Sequence, residues 1–319
     1  MALKIIKATQ PIEVKNLITC IYAPPGLGKT SMAFTAASPL LLDFDKGAHR
    51  SQFRKDTVQV SGWGEVEQIA ESDLTPYQTI VVDTAGRALD CLAAELIRKN
   101  PKFKGYGGQL SLQGFGALKA GFSGWLNLLK SFGKDIILIA HMEEKQVGED
   151  LVERLDIQGG SKGEIYKVAD VMGRIRIEGT GSSAKRMLDF NPSASGFGKN
   201  SAQLPVQEVP HFSTSPDYFA EIIQTTKDEL NKQSEEARQA QEALALSRKF
   251  ILNTKTILKS SENIGQESLS PIGYYRHLNQ PIRDLIRMKI NDEDIEGIKQ
   301  LSEKIDLIAK ELAEKFTND

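Results

Sequence analysis

Lys29 and Thr30 follow Ala23-Pro-Pro-Gly-Leu-Gly28, and the stretch has the spacing of a Walker A phosphate loop. Gly26 and Gly28 let the backbone curl so that successive N–H groups of Pro25 to Ser31, where a donor exists, face a polyphosphate. Pro24 and Pro25 donate nothing and stiffen the approach, Leu27 is the variable position between the glycines, and Ala23 stands where glycine is usual. The Lys29 ammonium reaches β and γ phosphates, and the Thr30 hydroxyl suits Mg²⁺. These residues predict a nucleoside triphosphate site with ATP and Mg²⁺ as the expected ligands.

Two further groups would complete phosphoryl chemistry. The run Tyr77-Gln-Thr-Ile-Val-Val-Asp83 carries a β-branched apolar stretch that ends in an acid, the pattern of a Walker B strand, which makes Asp83 the second metal residue beside Thr30. Asp83 as a mere helix cap is the simpler alternative. Asp43 and Asp45 end another apolar run, Pro39-Leu-Leu-Leu, and His141 ends a third, Asp135-Ile-Ile-Leu-Ile-Ala. Ligands of open α/β sheets gather at such carboxyl strand ends.

The elements that must hold these residues follow from the same runs. Leu17 to Tyr22 reads as a buried strand entering the phosphate loop, with a helix over about 29–37 after it. Val58 to Val60 is a further strand, Trp63 to Glu71 a helix, and helices fill 86–98 and 114–132. Val171 to Ile177 and Arg186 to Phe190 pair around a Gly/Ser turn, and 191–216 is rich in Ser, Pro and Gly. Residues 1–16 read as a strand or arm. The predicted fold is α/β, a mainly parallel sheet over 1–215, with an all-helical region over 216–319 that includes helices at 217–250, 282–290 and 292–316.

At 319 residues the chain accommodates this division, and its 40% hydrophobic and 26% charged content is that of a soluble globular protein. A formal net charge of -2 gives no general pull towards nucleic acid, so such binding needs a local patch. Two stretches offer one. Residues 99–116 mix Lys99, Lys102 and Lys104 with Phe103, Tyr106 and Phe115 in a glycine-rich loop, which suits a single strand or is simply a solvated loop. Arg248 to Lys289 has a basic excess around Tyr274, Tyr275 and His277, read first as a solvated face and second as a nucleic-acid patch. Cys20 and Cys91 form no metal or disulfide framework. No stretch has the length of a signal peptide core or membrane span, so the expected setting is cytoplasmic, without membrane partners.

Residues 17–205 resemble the RecA-like ATPase core, and within it the small phage ATPases classed with single-strand-annealing recombinases. Ala23 to Thr30 carries the phosphate-loop likeness and Ile80 to Asp83 the metal-strand likeness. Leu42-Asp-Phe-Asp-Lys-Gly47 resembles the strand ending in Asp-x-Glu, so Asp45 takes the water-orienting role, one methylene shorter. Ile137 to His141 resembles the strand whose terminal polar residue, glutamine in RecA, senses the γ-phosphate; that role passes to His141. Residues 142–163, with Gly159-Gly160, resemble the DNA-binding loop. Relatives often carry Lys-x-Arg reaching the neighbouring subunit's ATP; Lys199-Asn-Ser201 keeps only the lysine, leaving Lys199 as the trans-acting candidate.

The resemblance implies ATP hydrolysis with catalytic Lys29, Asp45, His141 and Lys199, and DNA recombination on single-stranded DNA by a homo-oligomeric ring or filament, with a single-strand-binding protein as a further partner. A nucleotide-dependent scaffold that docks a protein through its helical region is the second expectation. A small-molecule kinase is third, since no arginine cluster is placed to form a lid.

Overall fold

In the computed structural model, residues 3–262 are described except 4, 8, 9, 52 and 158–160, with side chains to residue 240. The helices expected at 282–290 and 292–316, and most of the 248–289 basic stretch, lie outside them.

Three runs form the centre of the sheet. β1 (Ile18–Ala23), β4 (Thr79–Asp83) and the first half of β5 (Asp135–Val147) are buried at every position, which is why they read as continuous apolar runs without alternation. With β2 (Pro39–Asp43), β3 (Thr57–Gln59) and β7 (Val171–Glu178) they make a parallel set in the order β3-β2-β4-β5-β1-β7. β8 (Lys185–Asp189), β9 (Lys199–Asn200) and β10 (Gln207–Glu208) add antiparallel pairs beyond β7. This is the expected α/β architecture with a mainly parallel central sheet.

Both faces are covered. Cys20, Tyr22, Val82 and Leu138 face α3 (Ala85–Lys99) and α4 (Leu112–Ser131), meeting Leu89, Leu92, Phe122 and Trp125. Ile21, Val81, Ile137 and Ile139 face α1 (Lys29–Ala33) and the start of α6 (Tyr218–Glu262), meeting Met32, Phe219 and Ile222. Thr84 and Ser111 cap α3 and α4, their hydroxyls accepting from the Arg87 and Gly114 amides.

Some elements differ from expectation. α1 ends at Ala33, and the helix expected over 63–71 is a short α2 (Gly64–Glu67) followed by a single 3₁₀ turn at Glu71–Leu74. The polar stretch expected to be a loop from Met142 is the second half of β5 paired antiparallel with β6 (Asp150–Leu155), then α5 (Ser161–Val168). Gly148, at φ 67°, makes the turn. Gly159 and Gly160 lie outside the described residues.

Val14–Leu230 is one compact unit, so the first turns of α6 belong to the core: Phe219, Ile222, Ile223 and Thr226 are buried there. The described residues before Val14 and after Leu230 belong to the other unit, where the Ile12 amide donates to Ser234 Oγ at 3.0 Å. Among the described residues, those before Ile18 carry no strand, and no helix is long and apolar enough to cross a membrane.

Candidate nucleotide site

The phosphate loop leaves β1 after Ala23 and enters α1 at Lys29. Gly26 and Gly28 sit at φ 83° and 81°, left-handed values that cost a side-chain-bearing residue steric strain. Lys29 is buried, and its ammonium turns back into the curl, donating to the Ala23 and Pro24 carbonyls at 2.9 Å each. Burial pushes its pKa down to about 8, against the pull of Asp83 and Asp45. A cation that is poorly solvated and held only by carbonyls gains strongly from a polyphosphate.

Sheet order brings the other groups to it. β5 lies between β1 and β4, pairing Ala23 with His141 and Asp83 with Ile139, so His141 emerges between the loop and the metal acid. Thr30 Oγ1 donates to Asp83 Oδ2 at 2.6 Å. Burial pushes the Asp83 pKa up, opposed chiefly by that hydroxyl. The Phe44 and Asp45 amides both donate to the Asp83 carbonyl, at 2.8 and 3.2 Å, which fixes the exit of β2 against the end of β4. Buried Asp43 is structural: its carboxylate accepts from the Gly47 and Ala48 amides, folding the loop that carries Asp45. Asp45 then stands 3.7 Å from His141 Nε2 and 3.4 Å from Arg87 Nε.

A cleft of about 600 Å³ runs between these groups, lined by Pro25, Gly26, Gly28 to Ser31, Asp45, Gly47, Arg50, Ser51, Asp83 and His141. Residues 15–202 match an AAA domain family. The chain belongs to this AAA-domain family. A 67-residue stretch is 34% identical to an uncharacterised 10.4 kDa protein in the GpA 5′ region of Escherichia phage 186, covering 21% of this chain and 74% of that one. In fold the chain is similar to a KaiC-like protein from Pyrococcus horikoshii OT3 (10% identity, TM-score 0.31) and to flagellar accessory protein FlaH from Methanocaldococcus jannaschii (12%, TM-score 0.32). Each comparison covers 54% of this chain and 76% of the other. The AAA domain here is a nucleotide-binding P-loop domain of ATPase type.

Its donor set fits Mg²⁺. Among the described residues no cluster of three or more His, Cys, Asp or Glu could cage a metal, but a hydroxyl and a desolvated carboxylate in contact suit an ion that draws most of its ligands from phosphates and water. Thr30 and Asp83 would hold it, and bound there it would offset charge on the phosphates.

Other predicted residues are placed differently. Ala23 and Pro24 contribute carbonyls to Lys29, and the Leu27 carbonyl accepts from Arg186 Nη1 at 3.3 Å. Lys199 lies on β9 opposite Met172, and its ammonium donates to the Ala169 carbonyl just before β7, at the sheet end away from this chain's own phosphate loop. Three arginines at or beside the site, Arg50, Arg87 and Arg186, were not among the residues expected from the sequence. The position of Arg186 comes from long-range folding: it reaches the loop from β8 and also donates to the Pro210 carbonyl.

Proposed function

We propose that this AAA-domain protein hydrolyses ATP with Mg²⁺ and couples the nucleotide's state to single-stranded DNA as an oligomer in phage-type recombination, by annealing or strand exchange. The observation that carries the hydrolytic reading is the meeting of Asp45 and His141 at the mouth of the phosphate cleft, 3.7 Å apart. The loop amides and Lys29 orient the triphosphate in line with a water, and Asp45 accepts the water's proton as its oxygen bonds to the γ phosphorus. The bond to the β-phosphate oxygen breaks, ADP departs, and His141, next to Asp45 at the centre of β5, is placed to register whether the γ-phosphate is present.

The DNA reading rests on residues 99–116 rather than on the β5–β6 hairpin. The hairpin carries Glu143, Glu144, Glu149, Asp150 and Glu153 against Lys145 and Arg154, which repels a phosphate backbone. In the loop, Lys99 is tied to Glu67, while Lys102, Lys104 and a fully exposed Tyr106 face solvent. Charge for phosphates and a ring for stacking are the components a single strand needs.

Mg²⁺-dependent ATP hydrolysis, with and without single-stranded DNA, tests both parts. Stimulation by DNA that disappears in Asp45→Ala supports the reading. Hydrolysis indifferent to DNA favours the second reading, a nucleotide-dependent scaffold. That reading is supported by the 45-residue α6, far longer than packing on the sheet requires.

A further inference from the structure

The cleft carries a cation that the sequence analysis did not single out. Arg50 ends a single 3₁₀ turn, Ala48–Arg50, on the loop that bears Asp45. The turn is held by Asp43, whose carboxylate accepts the Gly47 and Ala48 amides at 3.1 and 3.0 Å. The guanidinium lies across Gly47: a Cβ at that glycine would stand 2.4 Å from Arg50 Nη2 and 3.3 Å from Cζ. Bare backbone at 47 therefore provides the space in which the side chain lies along the cleft.

Four other cations, Lys29, Arg87, Arg186 and Lys199, are engaged. Lys29 donates to two loop carbonyls, and Arg87 bridges Asp45 and Asp90 at 3.4 Å each. Arg186 donates to the Leu27 and Pro210 carbonyls and lies over the Phe212 ring, 5.4 Å from its centroid. Lys199 is bound to Ala169. Arg50 lines the same cleft as Lys29, Thr30 and Asp45 and has no ion-pair partner among the described residues. A guanidinium in a phosphate cleft, free of carboxylates, has the planar donor fork that matches a phosphate group.

We propose that Arg50 contacts the terminal phosphate of the bound triphosphate from the Asp45 side of the cleft, as a cation supplied by the chain that binds the nucleotide. This rests on the ATP-binding reading above and not on the DNA reading. Charge develops on the transferring group during hydrolysis, so such a contact strengthens on the way to the transition state and is felt in kcat.

The test compares the full-length protein with Arg50→Ala and Arg50→Lys, without DNA, measuring turnover together with the affinities of a fluorescent ATP analogue and its ADP counterpart. The exposed position makes the variants foldable, and their circular dichroism and melting should match the parent's. In Arg50→Ala, kcat should fall by about 10²-fold. ATP should lose its binding advantage over ADP, while ADP affinity stays within about twofold of the parent's. Arg50→Lys should recover part of the preference, since a point charge replaces a fork. Unchanged turnover with an unchanged ATP-over-ADP preference overturns the inference, as does equal loss of ATP and ADP. A parent that binds ATP over ADP through Arg50 yet turns nothing over sinks the hydrolytic reading and leaves the Arg50 contact standing.

Discussion

Asp45 Oδ2 and His141 Nε2 stand 3.7 Å apart, one just past the end of β2 and the other at the middle of β5, two strands that are not neighbours in the sheet. β4 lies between β2 and β5, and its Asp83 carbonyl ties down the Phe44 and Asp45 amides, so the contact spans the strand that carries the metal acid. The family resemblance gives the two residues separate roles. In the hydrolysis proposed above, their proximity makes the two residues one unit, whose response to substitution will not be additive.

Asp45→Asn keeps the shape and removes the proton acceptor. Turnover should fall by about 10²–10⁴-fold, with ATP affinity preserved or improved because a carboxylate near the polyphosphate has gone. His141→Ala should bind ATP normally and lose any stimulation by single-stranded DNA. Steady-state kinetics on both variants and on the double variant check this: a double variant worse than either single by the product of their effects would show that the two act independently.

Lys29 gives a pH dependence with a definite sign. Its pKa in the free chain is about 8, below the ordinary 10.5, and a bound polyphosphate restores the proton. ATP affinity should therefore be flat below pH 8 and weaken by up to about tenfold per unit above it. Binding at pH 9 should take up close to one proton, readable by titration calorimetry in buffers of different ionisation heat. Between pH 8 and 10.5 the unfolded chain holds more protons at this residue than the folded one, so its contribution to stability rises with pH. Lys29→Ala should remove the proton uptake along with turnover. Undiminished hydrolysis in that variant would show that the cleft is not the site.

Lys102, Lys104 and Tyr106 are the DNA-binding residues that the proposed function requires. Replacing both lysines with alanine should weaken single-strand binding uniformly across sequences. It should also flatten the salt dependence of log affinity by about 0.7 for each phosphate that is no longer neutralised. Tyr106→Ala should cost about 1–3 kcal/mol per stacked base with little change in that slope. Fluorescence anisotropy with a labelled oligonucleotide across a salt series separates the two. Equal affinities in all three proteins would move the DNA interface off this loop.

Strands buried on both faces were legible because burial leaves an unbroken apolar run, and the phosphate loop was legible because its glycines and lysine are fixed by local geometry. The β5–β6 hairpin was not. Met142 to Val147 and Leu151 to Leu155 set their polar residues in consecutive runs, Glu143 to Gln146 and Glu153-Arg154, in a strand pair with little burial, so the period-2 signal is weak and the stretch reads as a polar loop. Gly148 followed by Glu149 and Asp150 was the turn signal available. Arg186 was illegible for a different reason: nothing within a few residues of it specifies that it ends beside the phosphate loop, whereas Arg50 and Arg87 follow Asp45 and Asp83 closely in sequence.

The start of α6 offers the last prediction, because it braces the segment leaving α1. Thr35 Oγ1 accepts the Phe219 amide at 2.9 Å and donates to the Met32 carbonyl at 2.6 Å, while the Thr35 carbonyl accepts the Ala220 amide at 3.1 Å. Phe219 is fully buried against this segment, and Lys227 donates to Asp135 Oδ2 at 2.7 Å, at the base of β5. Phe219→Ala should cost about 3–5 kcal/mol of stability, and Thr35→Val should cost about 1–3 kcal/mol, because it leaves the buried Phe219 amide without an acceptor. A chain ending at Leu230 retains all of these interactions, while one ending at Pro216 lacks those made by Phe219, Ala220 and Lys227 and uncovers Met32, Ile21 and Ile139. The Leu230-ended chain should unfold cooperatively in urea and bind ATP, and the Pro216-ended chain should aggregate or melt far lower. A Pro216-ended chain as stable as the Leu230-ended one would show that α6 contributes nothing to the core.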